Sequence, residues 1–299
     1  MSRAKKVCVW SALAAVFLCG LGVLSTHAAT LDEMKTQIEG QIAKSGADVA
    51  IAFRTLDGKE EWYLRADDSF HAASTMKIPV MIELFHQVKE GKIKLSDELT
   101  VRNEFHSIVD GSVYKLDAGD DSETELYKAD GQKRKVSDLL EMMITQSSNL
   151  ATDVLIEKLG VENIRATVKT LHAHGMNVLR GVEDNKAYER GLNNTTTARG
   201  LEVLLEAIAE GKAVNTDASR QMIKILERQK FNEAIPAGLP AGIKVAHKTG
   251  EITKIHHDAA IVFAKRPFVL VILVRGIEDN KVSSALMADV ARELYSAVE

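Results

Sequence analysis

The hydroxyl of Ser74 and the amine of Lys77 stand three residues apart in the segment HAASTMKIPVMIELF. The apolar residues that follow recur at helical spacing and predict a helix that begins near Ser74, with Pro79 in its first turn. Residues three apart share a helix face, so we expect the two side chains to be in contact. A serine beside a neutral amine can act as a nucleophile, although such pairs also occur by chance on solvated helix faces.

Two further short motifs carry matching chemistry. The run SSN at residues 147–149 falls in a predicted turn between two helices, and the run KTG at residues 248–250 ends a β-rich segment. Asn149 can also be read as a plain N-cap of its helix, and the two roles are compatible. Lys248 is a second cation, and a nearby cation together with burial favours a neutral Lys77. In chain order the motifs read S-x-x-K, S-x-N and K-T-G.

With these motifs in this order, the chain resembles the penicillin-recognising serine hydrolases, which comprise serine β-lactamases and DD-peptidases, and it is most similar to the class A β-lactamases. The resemblance extends over nearly all of the chain after residue 28. It implies an enzyme that is acylated at Ser74 and hydrolyses the amide of a small-molecule β-lactam, with no cofactor and no metal. It leaves open a penicillin-binding, DD-peptidase-like protein for D-Ala-D-Ala-like substrates, a carboxylesterase, and a sensor that is acylated without turnover.

The resemblance gives each motif residue a role that its chemistry permits. Ser74 Oγ would attack the amide carbonyl, and Lys77 would accept its proton. Ser147 would relay a proton to the leaving nitrogen. Asn149 would offer its amide to the side-chain carbonyl of the substrate, and Lys248 would offer its charge to a substrate carboxylate.

The end of the third motif would complete the substrate site. By resemblance, the backbone N–H groups of Ser74 and Glu251 would bind the oxyanion. Thr249 would donate its hydroxyl to the substrate carboxylate, and Gly250 would let the β-run approach the ligand closely.

Histidines occupy the place where the family often has an arginine for the substrate carboxylate. The strand after K-T-G begins Ile-His-His-Asp at residues 255–258, so we expect His257 to substitute, with Arg275 as a second candidate. These histidines, together with His172 and His174, also permit an interpretation as the ligands of a zinc hydrolase. A His-x-His run without a nearby acid is a weak signal for a metal site, and we expect none.

Deacylation in class A enzymes depends on a glutamate in a loop beside the helical lobe. Glu183 has the expected offset from the S-x-N motif, and Asn194 stands where the aspartate that anchors this loop is expected. An Ala-Tyr pair at residues 187–188 replaces the Leu-Asn pair that usually follows the glutamate. Glu189 is therefore a rival base, and the absence of a dedicated base is a further alternative. Glu183 would then be a surface charge or a partner of Arg180.

Two other departures concern the helical part of the chain. Ser148 replaces the acidic residue that usually stands in the middle of the second motif, which removes a structural carboxylate. The polar segment 102–135 is longer than the family usually carries between the first two motifs, and long loops are often functional. Phe105, His106 and Tyr114 in this segment are candidates to line the cleft, although packing within the loop is an equal alternative.

Periodicity predicts the elements that must position these residues. Helical spacing predicts helices at 31–44, 74–90, 136–144, 149–159, 161–171, 218–228 and 282–298. A further helix is predicted after its cap at residues 195–197, with Leu201, Leu204, Leu205 and Ile208 on its core face. Alternation or short apolar runs predict strands at 47–55, 61–65, 243–249, 258–264 and 268–274.

Two strands near the start and three near the end predict an α/β fold of the α+β type. We expect one five-stranded antiparallel sheet, with the N- and C-terminal helices on one face. The sheet lobe would comprise residues 29–67 and 239–299, and residues 68–238 would form an inserted all-helical lobe. This arrangement matches the fold of the family that the motifs resemble. A site is expected in the cleft between the lobes, where Ser74 begins the insertion.

The beginning of the chain predicts export. Three basic residues precede an apolar run at residues 7–24, and small residues at Thr26 and Ala28 are typical of signal-peptide cleavage, so residues 1–28 are predicted to be removed. An uncleaved membrane anchor is the alternative. Cleavage would shift the net charge from −4 to −7 and remove Cys8 and Cys19, the only cysteines. We expect a periplasmic or secreted monomer that no longer binds a membrane, and the absence of a basic field argues against a nucleic-acid partner.

Overall fold

The structure is a computed structural model that describes residues 31–299, so the predicted signal peptide lies outside the described residues. The helices are α1 (Leu31–Ser45), α2 (Lys77–Lys89), α3 (Val136–Thr145), α4 (Asn149–Leu159), α5 (Val161–Thr170), α6 (Asn185–Glu189), α7 (Ala198–Ala209), α8 (Thr216–Leu226) and α9 (Asn280–Val298). The strands are β1 (Asp48–Thr55), β2 (Glu61–Leu64), β3 (Phe70–His71), β4 (Glu98–Thr100), β5 (Phe105–His106), β6 (Val113–Tyr114), β7 (Lys133–Lys135), β8 (Thr195–Thr196), β9 (Lys244–Ile252), β10 (Ile255–Phe263) and β11 (Phe268–Arg275).

The main sheet has the order β2-β1-β11-β10-β9, and all neighbouring strands are antiparallel. Strand β1 pairs with β11 along its whole length, from Asp48 opposite Arg275 to Thr55 opposite Phe268. The two ends of the chain therefore build one sheet, which confirms the predicted five strands and their antiparallel arrangement. The order leaves β9 at one edge of the sheet.

The two faces of the sheet belong to two different hydrophobic cores. Along β1, Val49, Ile51 and Phe53 point into a core shared with α1 and α9, whereas Ala50 and Ala52 point into the core of the helical lobe. This alternation is the two-residue period of a strand. The terminal helices cover one face as predicted, and α7 packs on the other face against β1, β10 and β11.

Helix α2 is the central helix of the inserted lobe. Its residues from Lys77 to Phe85 are all buried, which is typical of a helix surrounded by other elements. Helices α3, α4, α5 and α8 all contact it. The chain thus passes from the sheet into the middle of the helical lobe immediately after Ser74. Within the described part of the chain, no helix combines the length and apolarity that a membrane crossing requires.

Candidate active site

Ser74 lies at the junction of the two lobes, in a short 3₁₀ turn that spans Ala73–Met76. The α-helix begins only at Lys77, so the predicted helix start is displaced by one turn. Ala73, which precedes the serine, has a φ of 44°, in the left-handed region that side chains other than glycine rarely adopt. This sharp entry places Ser74 at the wall of a large cavity. The predicted site residues that line this cavity are Ser74, Ser147, Asn149, Glu183, Thr249 and Glu251.

The cavity has a volume of about 1380 Å³. Residues from both lobes line it, together with Asp120 and Ser122 from the long loop of residues 102–135. Phe105, His106 and Tyr114 instead form the small hairpin β5–β6 and do not contribute to the wall. The predicted position of the site between the lobes therefore agrees with the structure.

Lys77 is fully buried and directs its amine at the turn between α3 and α4. Its Nζ donates to the backbone oxygen of Ser147 at 2.6 Å, to Ser147 Oγ at 3.2 Å and to Asn149 Oδ1 at 3.0 Å. In the described residues no hydrogen bond joins this amine to Ser74 Oγ, so the predicted contact is not a hydrogen bond. Burial lowers the pKa of Lys77 to about 8, although the carboxylates of Asp121 and Asp153 act in the opposite direction.

Lys248 approaches Ser147 from the sheet. Its Nζ donates to Ser147 Oγ at 3.0 Å and to the backbone oxygen of Thr249 at 2.9 Å. The side chain is fully buried, and burial together with the charge of Lys77 lowers its pKa well below the usual value. Because both amines donate to Ser147 Oγ, the proton of this hydroxyl is free to be donated into the cavity.

Gly250 explains how β9 reaches the serine. A Cβ atom at this position would lie 3.0 Å from the backbone nitrogens of both Ser74 and Thr75. Only a residue without a side chain allows the edge strand to pack directly on the 3₁₀ turn. The motif lies inside β9, which continues to Ile252, and not at the end of the strand as predicted.

Glu183 lies in the loop that precedes α6 and lines the same cavity as Ser74. Its Oε1 accepts from Asn149 Nδ2 at 2.8 Å, and its Oε2 accepts from the backbone N–H of Asp117 at 3.1 Å. Burial raises the pKa of this carboxyl. The rival Glu189 is exposed on α6 and does not line the cavity. The guanidinium of Arg180 donates to Leu192 O, Gly181 O and Asn193 Oδ1, and not to Glu183.

Asn194 closes the base of this loop. Its Oδ1 accepts from the backbone N–H groups of Leu179 and Arg180 at 2.8 and 3.1 Å, and its Nδ2 donates to the backbone oxygen of Arg180 at 3.0 Å. An amide therefore anchors the loop at the position where the resemblance predicts a carboxylate. The Asn194 amide also donates to the backbone oxygen of Arg180. A carboxylate at this position has no donor for that oxygen.

Asp153 supports the loop that carries Glu183, and none of the sequence motifs includes it. It is almost fully buried on α4, and its Oδ1 accepts from the backbone N–H of Val182 at 2.7 Å. The Tyr114 hydroxyl lies 3.2 Å from Asp153 Oδ2 and 3.3 Å from the backbone oxygen of Val182. The Tyr114 hydroxyl is the donor in both contacts, so Asp153 Oδ2 accepts from it. Burial raises the pKa of Asp153 to about 8, although the hydrogen bonds from Val182 and Tyr114 act in the opposite direction.

His257 does not reach the cavity, and the structure contradicts its predicted role. Strand β10 begins at Ile255 and not at Asp258, so His257 lies within the sheet and is fully buried. Its Nε2 donates to the backbone oxygen of His71 at 2.9 Å, and its Nδ1 accepts from the N–H of Val274 at 3.1 Å. Burial lowers its pKa to about 4, so the ring is neutral at physiological pH.

Arg275, the second candidate for the carboxylate, is also engaged elsewhere. Its guanidinium pairs with Asp48 and donates to the backbone oxygen of Ser69. It also lies over the ring of Phe70, 4.4 Å from the ring centre. The side chains of His257 and Arg275 are therefore both engaged away from the cavity.

The histidine and aspartate side chains at residues 256–258 do not converge on one point. His256 Nδ1 lies 2.8 Å from Ser283 Oγ, and Asp258 Oδ1 lies 3.0 Å from His247 Nδ1. Between residues 31 and 299, no group of three His, Cys, Asp or Glu side chains is placed to hold a metal ion. The geometry of these residues therefore argues against the zinc hydrolase interpretation.

The sheet, the inserted helical lobe and the Ser74–Lys77–Ser147–Lys248 cluster are typical of the serine β-lactamase-like family. The sequence model of the Beta-lactamase enzyme family matches residues 33–298, and the chain belongs to this family. The chain is 23% identical over 285 residues to the extended-spectrum beta-lactamase PER-1 of Pseudomonas aeruginosa. This match covers 88% of the chain and 86% of that protein.

Solved structures share the fold. PBP-A superimposes with a TM-score of 0.78 at 26% identity, over 90% of this chain and 97% of that chain. A beta-lactamase from Sphaerobacter thermophilus gives a TM-score of 0.75 at 23% identity, over 88% and 95% of the two chains. A variant of PBP-A, solved as an acyl-enzyme complex with penicillin G, gives the same values as PBP-A itself. These likenesses confirm the predicted fold class.

Proposed function

We propose that this protein is a serine hydrolase that is acylated at Ser74 and hydrolyses the amide bond of β-lactams. The observation that carries the proposal is the pairing of Glu183 with Asn149 at 2.8 Å in the cavity that Ser74 also lines. A carboxylate in the same cavity as Ser74 supports the proposal, because a hydrolase needs a base to release the acyl group. Membership of the Beta-lactamase enzyme family supports the same reaction class.

In the acylation step, Ser74 Oγ attacks the β-lactam carbonyl carbon, and the C–N bond of the ring breaks. Neutral Lys77 accepts the hydroxyl proton, and its lowered pKa makes this form available near neutral pH. Ser147 donates its proton to the leaving nitrogen and is reprotonated through the amines that contact its Oγ. The N–H groups of Ser74 and Glu251 bind the oxyanion that develops.

The substrate is held by groups from both lobes. Lys248 and Thr249 bind its carboxylate from β9, and Gly250 allows that strand to approach the serine. Asn149 donates to the side-chain carbonyl of the substrate. In the deacylation step, Glu183 takes a proton from the attacking water, and its raised pKa strengthens it as a base near neutral pH.

The predicted signal peptide of residues 1–28 indicates where in the cell the protein would act. A β-lactamase that is exported to the periplasm or secreted meets its small-molecule substrate before the substrate reaches the cell-wall enzymes. We propose that the mature protein acts there as a monomer, without a cofactor.

A penicillin-binding protein with a long-lived acyl-enzyme is the second candidate. The Ala-Tyr pair at residues 187–188 favours it, because the resemblance predicts an asparagine close to Glu183 that would help to hold the deacylating water. The likeness to PBP-A, at 26% identity, supports the same alternative.

A chromogenic cephalosporin assay combined with intact-protein mass spectrometry separates these functions. We expect multiple turnovers by the wild type, no adduct on Ser74→Ala, and a persistent acyl adduct on Glu183→Gln. Glu189→Gln is the matched control, because Glu189 is an exposed glutamate of the same loop region outside the cavity, and it should keep the wild-type turnover.

Other outcomes assign other functions. A persistent adduct on the wild type would replace β-lactam hydrolysis with penicillin binding. Hydrolysis of p-nitrophenyl esters without any β-lactam adduct would indicate a carboxylesterase. β-Lactam turnover retained by Ser74→Ala would overturn the serine mechanism.

A further inference from the structure

Asp121, in the long loop of residues 102–135, is buried against the second motif. Its Oδ2 accepts from the backbone N–H groups of Asn149 at 2.8 Å and Leu150 at 3.0 Å. The same oxygen lies 3.4 Å from Ser148 Oγ. One carboxylate thus contacts two of the three motif residues and the first turn of α4.

The loop holds this carboxylate in a defined orientation. The Tyr127 hydroxyl donates to Asp121 Oδ2 at 3.0 Å, and the backbone N–H of Glu123 donates to Asp121 Oδ1 at 3.1 Å. The carboxylate therefore accepts from several donors and is only 7% exposed. A carboxylate with so many donors is a fixed anion at the start of α4, where the helix dipole also favours negative charge.

Asp121 contacts the second motif at the position where this chain lacks the acidic residue of the family. The resemblance predicts an acidic residue in the middle of the second motif, and the chain has Ser148 there. The hydroxyl of Ser148 caps α4 by accepting from the N–H of Ala151 at 3.2 Å. The carboxylate is thus supplied by the loop, while Asn149 of the motif and Leu150 after it supply the N–H groups that bind it.

The same carboxylate acts on the two groups that move protons. Asn149 links Lys77 to Glu183 through its two amide atoms, so the placement of the Asn149 backbone controls both contacts. The charge of Asp121 also raises the pKa of Lys77 and of Glu183. The other charged groups that act on Lys77 are Asp153 from α4, Glu183 from the loop before α6 and Lys248 from β9.

We infer that Asp121 is a positioning residue of the active site, which holds the turn at residues 147–149 so that Ser147 and Asn149 face Lys77. The inference rests on the proposed function for its effect on turnover, whereas the effect on the turn itself does not depend on any substrate. It also gives the long loop a function, because the loop replaces a carboxylate that the motif lacks.

Two variants separate the hydrogen-bonding role from the charge. Asp121→Ala removes the acceptor and should slow acylation by a chromogenic cephalosporin by about tenfold or more. Asp121→Asn keeps one acceptor oxygen and removes the charge, so it should retain more activity than Asp121→Ala. In Asp121→Asn the acylation rate should begin to rise at a lower pH than in the wild type. The reason is that the Asp121 charge, which raises the Lys77 pKa, has been removed. Glu125→Gln is the control, since it removes one charge of the same loop at a 72% exposed side chain.

Two measurements keep the test independent of turnover. The titration midpoint of Lys77, followed by NMR at Cε, should fall in Asp121→Asn and stay unchanged in Glu125→Gln. Hydrogen exchange of the N–H groups of Asn149 and Leu150 should accelerate in Asp121→Ala. An unchanged Lys77 midpoint together with unchanged exchange would overturn the inference, even if the variants were less stable. A wild type that no β-lactam acylates would overturn the proposed function and leave these two measurements to decide on Asp121.

Discussion

Lys77 is an amine whose hydrogen-bond partners are neutral oxygens, those of Ser147 and Asn149. No carboxylate oxygen lies within ion-pair distance of it in the described residues, so burial outweighs the more distant anions and its pKa falls to about 8. The structure thereby gives the amine a neutral form near physiological pH. A base of this kind is effective because its pKa is close to the working pH.

This pKa predicts the pH dependence of acylation. The neutral amine is the reactive form, so the acylation rate should rise with pH up to about 8 and then level off. The measurement is stopped-flow acylation of Glu183→Gln by a chromogenic cephalosporin, since this variant should stop at the acyl-enzyme. In this variant the rate should level off at a lower pH than in the wild type, because the Glu183 charge that raises the Lys77 pKa is absent. A rate that does not change across this range would show that Lys77 is not the base.

Gly250 gives a second prediction at the scale of a residue. Gly250→Ala would place a Cβ atom 3.0 Å from the backbone nitrogens of Ser74 and Thr75, so β9 must move away from the serine. We expect acylation to slow by about tenfold or more, as is usual when an oxyanion site is displaced.

Gly40→Ala is the matched control for this substitution. Gly40 lies within α1, where nothing stands within 4 Å of an added Cβ atom. Alanine should stabilise that helix by about 1 kcal/mol without any effect on acylation. If Gly250→Ala were acylated at the wild-type rate, acylation would not depend on the close approach of β9 to Ser74.

The loop that carries Glu183 is an element without regular structure over most of its length, and its position depends on a few polar side chains. Asn194 ties its two ends together, and Asp153 holds Val182, the neighbour of Glu183. Gly181 has no room for a side chain, because a Cβ atom there would lie 2.6 Å from Asp153 Oδ1. A buried carboxyl group, whose pKa is raised to about 8, therefore defines where the proposed base stands.

Asp153 predicts a pH dependence of stability. Its pKa is raised from 3.8 to about 8 on folding, so between these values the unfolded chain is ionised while the folded protein holds the proton. The contribution of Asp153 to the free energy of unfolding should then decrease as the pH rises from about 4 to about 8, by at most about 1.4 kcal/mol per pH unit. Asp153→Asn keeps the acceptor for Val182 and should lack this loss.

Urea unfolding at about pH 5 and about pH 8 tests this expectation. The variant should gain stability relative to the wild type as the pH rises. Parallel pH dependences of the two proteins would show that Asp153 is ionised in the folded state.

On the scale of the whole molecule, the sheet belongs to both cores. Alternate residues of β1 and β11 point into the terminal-helix core and into the helical lobe, so neither core can form without the same strands. We therefore expect residues 31–299 to unfold as one cooperative unit.

Phe53→Ala tests this cooperativity. Phe53 is fully buried in the terminal-helix core against Phe268, with ring centres 5.3 Å apart. Its loss should lower the free energy of unfolding by about 3–5 kcal/mol. Trp62, the only tryptophan after the predicted signal peptide, reports on this core, and activity reports on the other side of the sheet. The two signals should be lost at the same urea concentration, and separated transitions would indicate two independent lobes.

Much of this protein follows from local features of its sequence. Periodicity predicted the long helices and the five strands of the sheet, because a period of two or of 3.6 residues reflects burial of one face. The three short motifs identified Ser74, Lys77, Ser147 and Lys248, since their order along the chain is itself a specific signal. Spacing favoured Glu183 over its rival Glu189, and the fold shows that Glu183 lines the cavity and Glu189 does not.

The tertiary structure decided which side chains meet. The start of β10, set by its pairing with β9, buried His257 in the sheet and removed it from the site. Asp121 and Asn149 are 28 residues apart, and no local pattern predicts that one should bind the other. The sequence by itself determined the fold class and pointed to Ser74 as the proposed nucleophile, because both signals lie in short segments. Packing between distant segments decided the direction of the Lys77 amine and the supports of Glu183, because a contact across the chain forms only when both elements are in place.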